Sequence, residues 1–192
     1  MDLILASSSP YRQALLKRLR LPFATASPDV DETPLQGEPP RELAIRLSRL
    51  KAETVAARQP GAVVIGSDQV ASLGGQVLAK PGTPDVALAQ LLSCQGRTVR
   101  FDTGICLLSP SHPPAAACIE TLVTFRQLSE QQLRRYIELD QPLDCAGSFK
   151  WESLGISLFE RLEGDDPTAL EGLPLIALTR LLNEVGLDPL TL

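Results

Sequence analysis

The sequence predicts an α/β fold, on three observations. Helical and strand-like patterns interleave along most of the 192 residues. The run Ala62, Val63, Val64, Ile65 is apolar throughout and closes on Gly66, as expected of a central strand buried on both faces. Two long strand-like stretches, 98–108 and 117–128, follow one another and imply an antiparallel or mixed part to the sheet. No repeat, low-complexity tract or linker interrupts the chain, so residues 1–192 are expected to form one domain with two lobes.

The elements follow in order. Leu3 to Ala6 is an apolar strand that stops at Ser7, Ser8 and Ser9. Ser9 suits an N-cap and Pro10 the first helical position, where its missing N–H costs nothing; Ala14, Leu15, Leu16 and Leu19 then keep helical spacing. Residues 23–26 form a short strand candidate, and 28–34 a turn-rich acidic loop carrying Asp29, Asp31 and Glu32. Pro39 or Pro40 opens a long helix to about Ala57, with Leu43, Ala44, Leu47, Leu50 and Val55 on its apolar face. The strand 62–66 ends at Ser67-Asp68-Gln69, and Gly74-Gly75 predicts a hairpin turn after it. Thr83 caps a helix that starts at Pro84 and runs to about Cys94. The two long strands are joined by the proline-rich loop 109–114. Ser129 with Gln132 predicts a capping box for a helix through Ile137. Residues 143–156 read as loop, and a last helix runs from Leu175 to about Val185 with Gly186 just past its end.

Composition narrows the function. Hydrophobic residues make up 44% and charged residues 21%, an ordinary globular balance. A net charge of −5 argues against a nucleic-acid polymer as partner, yet leaves room for a nucleotide pocket with a few local cations. No apolar run approaches the ~18 residues of a membrane span, and Met1-Asp2-Leu3 lacks the basic segment of a signal peptide. Cys94, Cys106, Cys118 and Cys145 form no C-x-x-C pair and lie mostly in apolar stretches, which fits reduced thiols in a cytoplasmic protein. The one histidine, His112, sits in a proline-rich loop, so neither a zinc site nor a Ser-His-Asp triad is expected.

Three polar clusters carry the chemistry. The serine turn with Arg12 offers hydroxyls, a guanidinium and the N–H groups of a helix start, which together suit a phosphate. The acidic loop is the second cluster. The third is Ser67-Asp68-Gln69, read as the carboxyl end of a buried strand, where ligands bind in open α/β sheets. Lys51 and Lys80 add cations. Carboxylates beside phosphate-binding groups are the donor set that Mg²⁺ or Mn²⁺ favours, and metal-assisted hydrolysis of a phosphoanhydride is the matching reaction class. G-x-x-x-x-G-K-[ST] is absent, so this is no P-loop enzyme.

Motif by motif, the chain resembles the Maf-like nucleotide pyrophosphatases. Leu5-Ala6-Ser7-Ser8-Ser9-Pro10 with Arg12 looks like the family's L-A-S-x-S-P signature. Val30-Asp31-Glu32, Lys51-Ala52, Gly66-Ser67-Asp68, Lys80-Pro81, Thr103-Gly104, Cys145-Ala146-Gly147 and Gly172-Leu173-Pro174-Leu175 follow in the family's order across nearly the whole chain. The resemblance implies an inosine-triphosphatase-like fold, a mixed sheet with two lobes around a deep cleft. It also implies hydrolysis of a nucleoside triphosphate to monophosphate and pyrophosphate with a divalent cation, Mg or Mn. On that carry-over Asp68, Glu32 and Lys80 are catalytic, with Asp68 the proton acceptor. Glu32 and Asp68 hold the metal, and Ser8, Arg12 and Lys51 bind phosphates. Whether Asp68 serves as base or as ligand stays open in the sequence.

Tyr11, Gln69 and Glu152 depart from the broad family and look like the subgroup acting on 7-methyl-GTP. That subgroup commonly has Trp where Tyr11 stands, and Gln13 replaces a common second basic residue. Methylation at N7 makes guanine cationic; an aromatic face attracts such a ring, a carboxylate accepts from its N1–H and amine, and an amide offers both a donor and an acceptor. The expectation is thus 7-methyl-GTP hydrolysis to 7-methyl-GMP and pyrophosphate, a house-cleaning of modified nucleotides. The same chemistry on dTTP or UTP, or a nucleotide-binding regulator of cell division, are the alternatives. Beyond the nucleotide, the family suggests a homodimer, for which no interface can be read in the sequence.

Overall fold

The computed structural model describes residues 2–191. Its centre is a seven-stranded mixed sheet: β1 (Leu3–Leu5), β2 (Ala24–Thr25), β3 (Val63–Leu73), β4 (Gln76–Val77), β5 (Thr98–Ser109), β6 (His112–Phe125) and β7 (Phe159–Gly164). The order is β2-β1-β3-β5-β6-β7, with β4 added to the far end of β3. Helices α1 (Pro10–Lys17), α2 (Pro40–Arg58), α3 (Pro84–Cys94), α4 (Glu130–Asp140) and α5 (Leu175–Glu184) surround it. The expected mixed α/β class holds.

Local chemistry explains most boundaries. Ser9 caps α1, its hydroxyl accepting from the Arg12 N–H, and Thr83 caps α3 in the same way, each followed by proline in the first turn. Ser129 and Gln132 close both halves of the capping box on α4. Gly74 and Gly75 take φ of +58° and +84°, the left-handed pair that a two-residue hairpin demands.

Two expectations are corrected, and one strand is added. The proline-rich segment is strand rather than loop, because β6 already starts at His112. Leu107 pairs with Ala115 and Ser109 with His112, so Pro113 and Pro114 together face Leu108 in a bulge, where missing N–H groups are tolerated. The strand β7 has no counterpart in the sequence reading, since Glu160, Arg161 and Glu163 mask its short edge pattern. Finally, β3 does not stop before Ser67. It runs on to Leu73 because β5 pairs with it antiparallel from Val64 to Ser72, whereas its parallel neighbour β1 ends at Leu5, opposite Ile65. Asp68 therefore lies mid-strand, just beyond the point where the sheet loses β1.

At that level the core is cut in two on both faces. On one face Leu5, Ile65, Ile105, Leu107 and Leu178 form one apolar cluster, and Ala71, Val99, Phe101, Leu133 and Phe149 another. Between them sit Ser67, Gln69 and Thr103. On the opposite face, Val64, Cys106 and Val55 are parted from Val70, Leu43 and Leu47 by Asp68, Lys51 and Ser48. The sheet thus carries a polar waist.

Candidate active site

The waist opens into a cavity of about 780 Å³ lined by the serine turn, Glu32, Lys51, Asp68, Gln69, Lys80 and the segment around Glu152. Its floor is built by close packing of α2 on the sheet. A Cβ at Gly66 would run into the Ser48 carbonyl, and one at Gly104 into the Ala44 carbonyl. Two residues without side chains let the helix settle onto β3 and β5, and this brings Lys51 to Asp68.

Lys51 is 6% exposed and its Nζ lies 2.6 Å from Asp68 Oδ1 and 2.7 Å from Glu32 Oε1. Asp68 is 9% exposed, while Glu32 reaches in from the loop with 56% of its side chain still wet. Partial burial works to raise the Glu32 pKa, but the hydrogen bond from Lys51 and the charges of Lys51, Lys80 and Arg12 outweigh it and hold the carboxyl below its usual range. Lys80 is exposed on the cavity wall and makes no ion pair among the described residues. Of the acidic loop, Asp31 caps Thr33 in solvent and Asp29 accepts from Ser27, so only Glu32 enters the centre.

Arg12 approaches from α1. Its Nε donates to the Gly172 carbonyl at 2.8 Å, and burial away from water lowers its pKa against the opposing pull of Asp68 and Glu32, though a guanidinium stays charged. Gly172 takes φ of +104°, a backbone that a side chain would strain. In the turn before α1, Ser7 and Ser9 spend their hydroxyl oxygens on the N–H groups of Ser9 and Arg12, which leaves Ser8 as the exposed hydroxyl on the cavity.

The other end of the cavity is acidic and aromatic. Tyr11 is half-buried, with its hydroxyl pushed up to about 12 by burial first, then by Cys145, Asp144 and Glu152. Trp151 also lines this end, and its Nε1 has no hydrogen-bond partner among the described residues. The segment carrying Trp151 and Glu152 is anchored by Phe149, which meets Phe101, Phe125 and Phe159 edge to face at centroid distances of 5.3, 5.6 and 4.8 Å. The Lys150 N–H donates to Tyr136 Oη, which ties the same segment to α4.

Gln69 departs from expectation in its orientation. Its amide nitrogen points inward, within hydrogen-bonding distance of Thr103 Oγ1 (3.1 Å), the Ala169 carbonyl (2.8 Å) and the Leu170 carbonyl (3.0 Å). The donor half of the amide is therefore spent on protein, and only Oε1 is left for a ligand. The residues receiving it belong to a 3₁₀ turn, Pro167–Glu171, that the sequence reading passed over. Asp166, buried, caps that turn; Asp166-Pro167, a helix-start signal like the one at Ser9-Pro10, was the clue to it.

The whole assembly, with Arg12, Lys51 and Lys80 beside a buried carboxylate at one end and acidic groups at the other, has the groups that a phosphoanhydride hydrolase needs. Comparison with known proteins makes this specific. The family model for Maf-like proteins matches residues 2–185, and the chain belongs to that family. Among its relatives, the 7-methyl-GTP pyrophosphatase of Cupriavidus metallidurans is 59% identical over 185 residues, covering 96% of this chain and 93% of that protein. The 7-methyl-GTP pyrophosphatase of Pseudomonas aeruginosa is 56% identical over 188 residues, covering 97% and 98%. A HAM1 protein from Coxiella burnetii shares the fold, with a TM-score of 0.52 at 16% identity over 96% of this chain and 99% of that one.

Proposed function

We propose that this protein hydrolyses 7-methyl-GTP to 7-methyl-GMP and pyrophosphate. The observation that carries the reading is the polarity of one cavity: Arg12, Lys51 and Lys80 at one end, Tyr11 with Glu152 and Asp144 at the other. The first end suits a triphosphate and the second a flat, positively charged base. The relatives named 7-methyl-GTP pyrophosphatase support the same substrate.

In this reading Asp68 accepts a proton from the water that attacks the α-phosphorus. The bond to the bridging oxygen breaks, and pyrophosphate leaves with the electron pair. Lys51 orients the Asp68 carboxylate through its 2.6 Å contact. Arg12, Ser8, Lys51 and Lys80 hold the phosphates and the charge that builds on the leaving group. Glu32 would hold the divalent cation with phosphate oxygens and water, and Asp68 would join that shell only through the oxygen that does not take the proton. Bound there, Mg²⁺ or Mn²⁺ supplies charge neutralisation along the triphosphate. The substrate pool fits a cytoplasmic enzyme, and a homodimer would show as a doubled mass in light scattering.

The test is pyrophosphate release with Mg²⁺ or Mn²⁺ across 7-methyl-GTP, GTP, dTTP, UTP, CTP and ITP. We expect a clear preference for 7-methyl-GTP. Preference for a pyrimidine would keep the catalytic assignments and overturn the base reading; binding without any release would favour a regulatory protein instead. Asp68→Asn is expected to lower turnover about 10²–10⁴-fold in a folded protein. Near wild-type turnover in that variant would remove Asp68 from the mechanism.

A further inference from the structure

The 3₁₀ turn Pro167–Glu171 is held more firmly than its length requires. The Ala169 carbonyl accepts from Gln69 Nε2 at 2.8 Å and from Thr103 Oγ1 at 2.9 Å. The Leu170 carbonyl accepts from Gln69 at 3.0 Å. The Gly172 carbonyl accepts from Arg12 Nε at 2.8 Å and from Ser67 Oγ at 3.0 Å. Beneath the turn, Asp166 accepts from the Thr168 N–H and hydroxyl and from the Ile176 N–H, and Thr168 in turn accepts from the Leu175 N–H. Backbone fixed on both sides of one residue fixes that residue, and the residue is Glu171.

Glu171 lines the cavity with 21% of its side chain exposed. Among the described residues its one ion pair is with Arg18, 4.0 Å away and 59% exposed, a contact worth little in water. Burial and the charge of Glu152 both raise the Glu171 pKa, against a weaker pull from Arg18. Glu152 and Glu171 line one cavity with like charge, and neither has a strong counter-ion among the described residues. A neutral base leaves that repulsion standing; a cationic base relieves it. Such a pair discriminates by charge, in addition to whatever one carboxylate reads by hydrogen bonding.

We propose that Glu171 is a specificity-determining residue that acts with Glu152 to select a positively charged purine base. The inference rests on the 7-methyl-GTP reading, and goes beyond it by assigning the selection to a carboxylate pair and to the turn that presents one member. The Gln69 amide then acts on specificity from behind, by holding the turn.

The experiment compares kcat/KM for 7-methyl-GTP and for GTP in the wild type, Glu171→Gln and Glu171→Asp. The two nucleotides share their phosphates and differ in the charge of the base. The expected result is a fall of about fivefold in the 7-methyl-GTP to GTP ratio for Glu171→Gln, the scale of one partly exposed charge interaction, with most of the ratio kept by Glu171→Asp. A merely structural role would lower both nucleotides together and leave the ratio in place. An unchanged ratio in Glu171→Gln, with the wild type still preferring 7-methyl-GTP, overturns the role of Glu171 alone. A wild type without that preference overturns the substrate reading and this inference with it.

Discussion

Lys51 is the residue on which the site turns, because one ammonium meets two carboxylates of unlike exposure. Removing Lys51 would leave Asp68 buried and unpaired, so the informative probe is the wetter partner. The Glu32 carboxyl is held below its ordinary value, so its ionised form stabilises the fold above the ordinary carboxylate range and the contribution fades as pH falls through the lower folded value. Glu32→Gln should therefore be less stable than the wild type at neutral pH, by a few tenths of a kcal/mol after solvent screening. The gap should close in acid below the usual carboxylate range. Thermal unfolding of both proteins across pH 3 to 7 measures it; a gap independent of pH would mean that the Lys51 contact does not stabilise Glu32.

Among the elements, α2 and β3 set the geometry, and the contact between them is a backbone matter. Gly104→Ala, on the adjoining β5, would drive a methyl group into the Ala44 carbonyl and lift the helix away from the sheet. The expected cost is about 1–3 kcal/mol of stability, with a loss of activity larger than unfolding explains, since Lys51 would retreat from Asp68. Denaturant unfolding beside kinetics at saturating substrate separates the two; full activity in a destabilised protein would show that the close approach serves packing alone. The sequence announced most elements here through capping residues: Ser9, Thr83, Ser129 and the glycines at 74–75 each act locally. It was silent where pairing decides. The length of β3 depends on β5, thirty-odd residues on, and no local pattern around Ser67 records that partner.

At the scale of the molecule, the two apolar halves meet at a polar waist, and the candidate site occupies it. Most residues of the candidate site were legible in sequence because they are polar groups in short, ordered motifs: Glu32, Lys51, Asp68 and Arg12 do converge on one cavity. What could not be read was orientation. Nothing in Ser67-Asp68-Gln69 says that the Gln69 amide turns toward the 3₁₀ turn, nor that Glu171 lines the same cavity as Glu152. A ligand in the waist touches both halves, so it should stabilise the whole fold. At a hundred times its dissociation constant, 7-methyl-GMP should add about 2.7 kcal/mol and raise the melting midpoint by several degrees. An unshifted midpoint would mean that the nucleotide binds the folded protein no more tightly than the unfolded chain.

The bulge at Pro113 and Pro114 has a consequence outside the monomer. β7 pairs only with Thr121–Phe125 of β6, so the stretch from His112 to Glu120 is an open rim of the sheet. Open rims invite other chains to add a strand. Two residues that lack N–H groups, set in a kinked stretch, spoil the template there. The end of the sheet at these prolines is thereby guarded against growing into an aggregate.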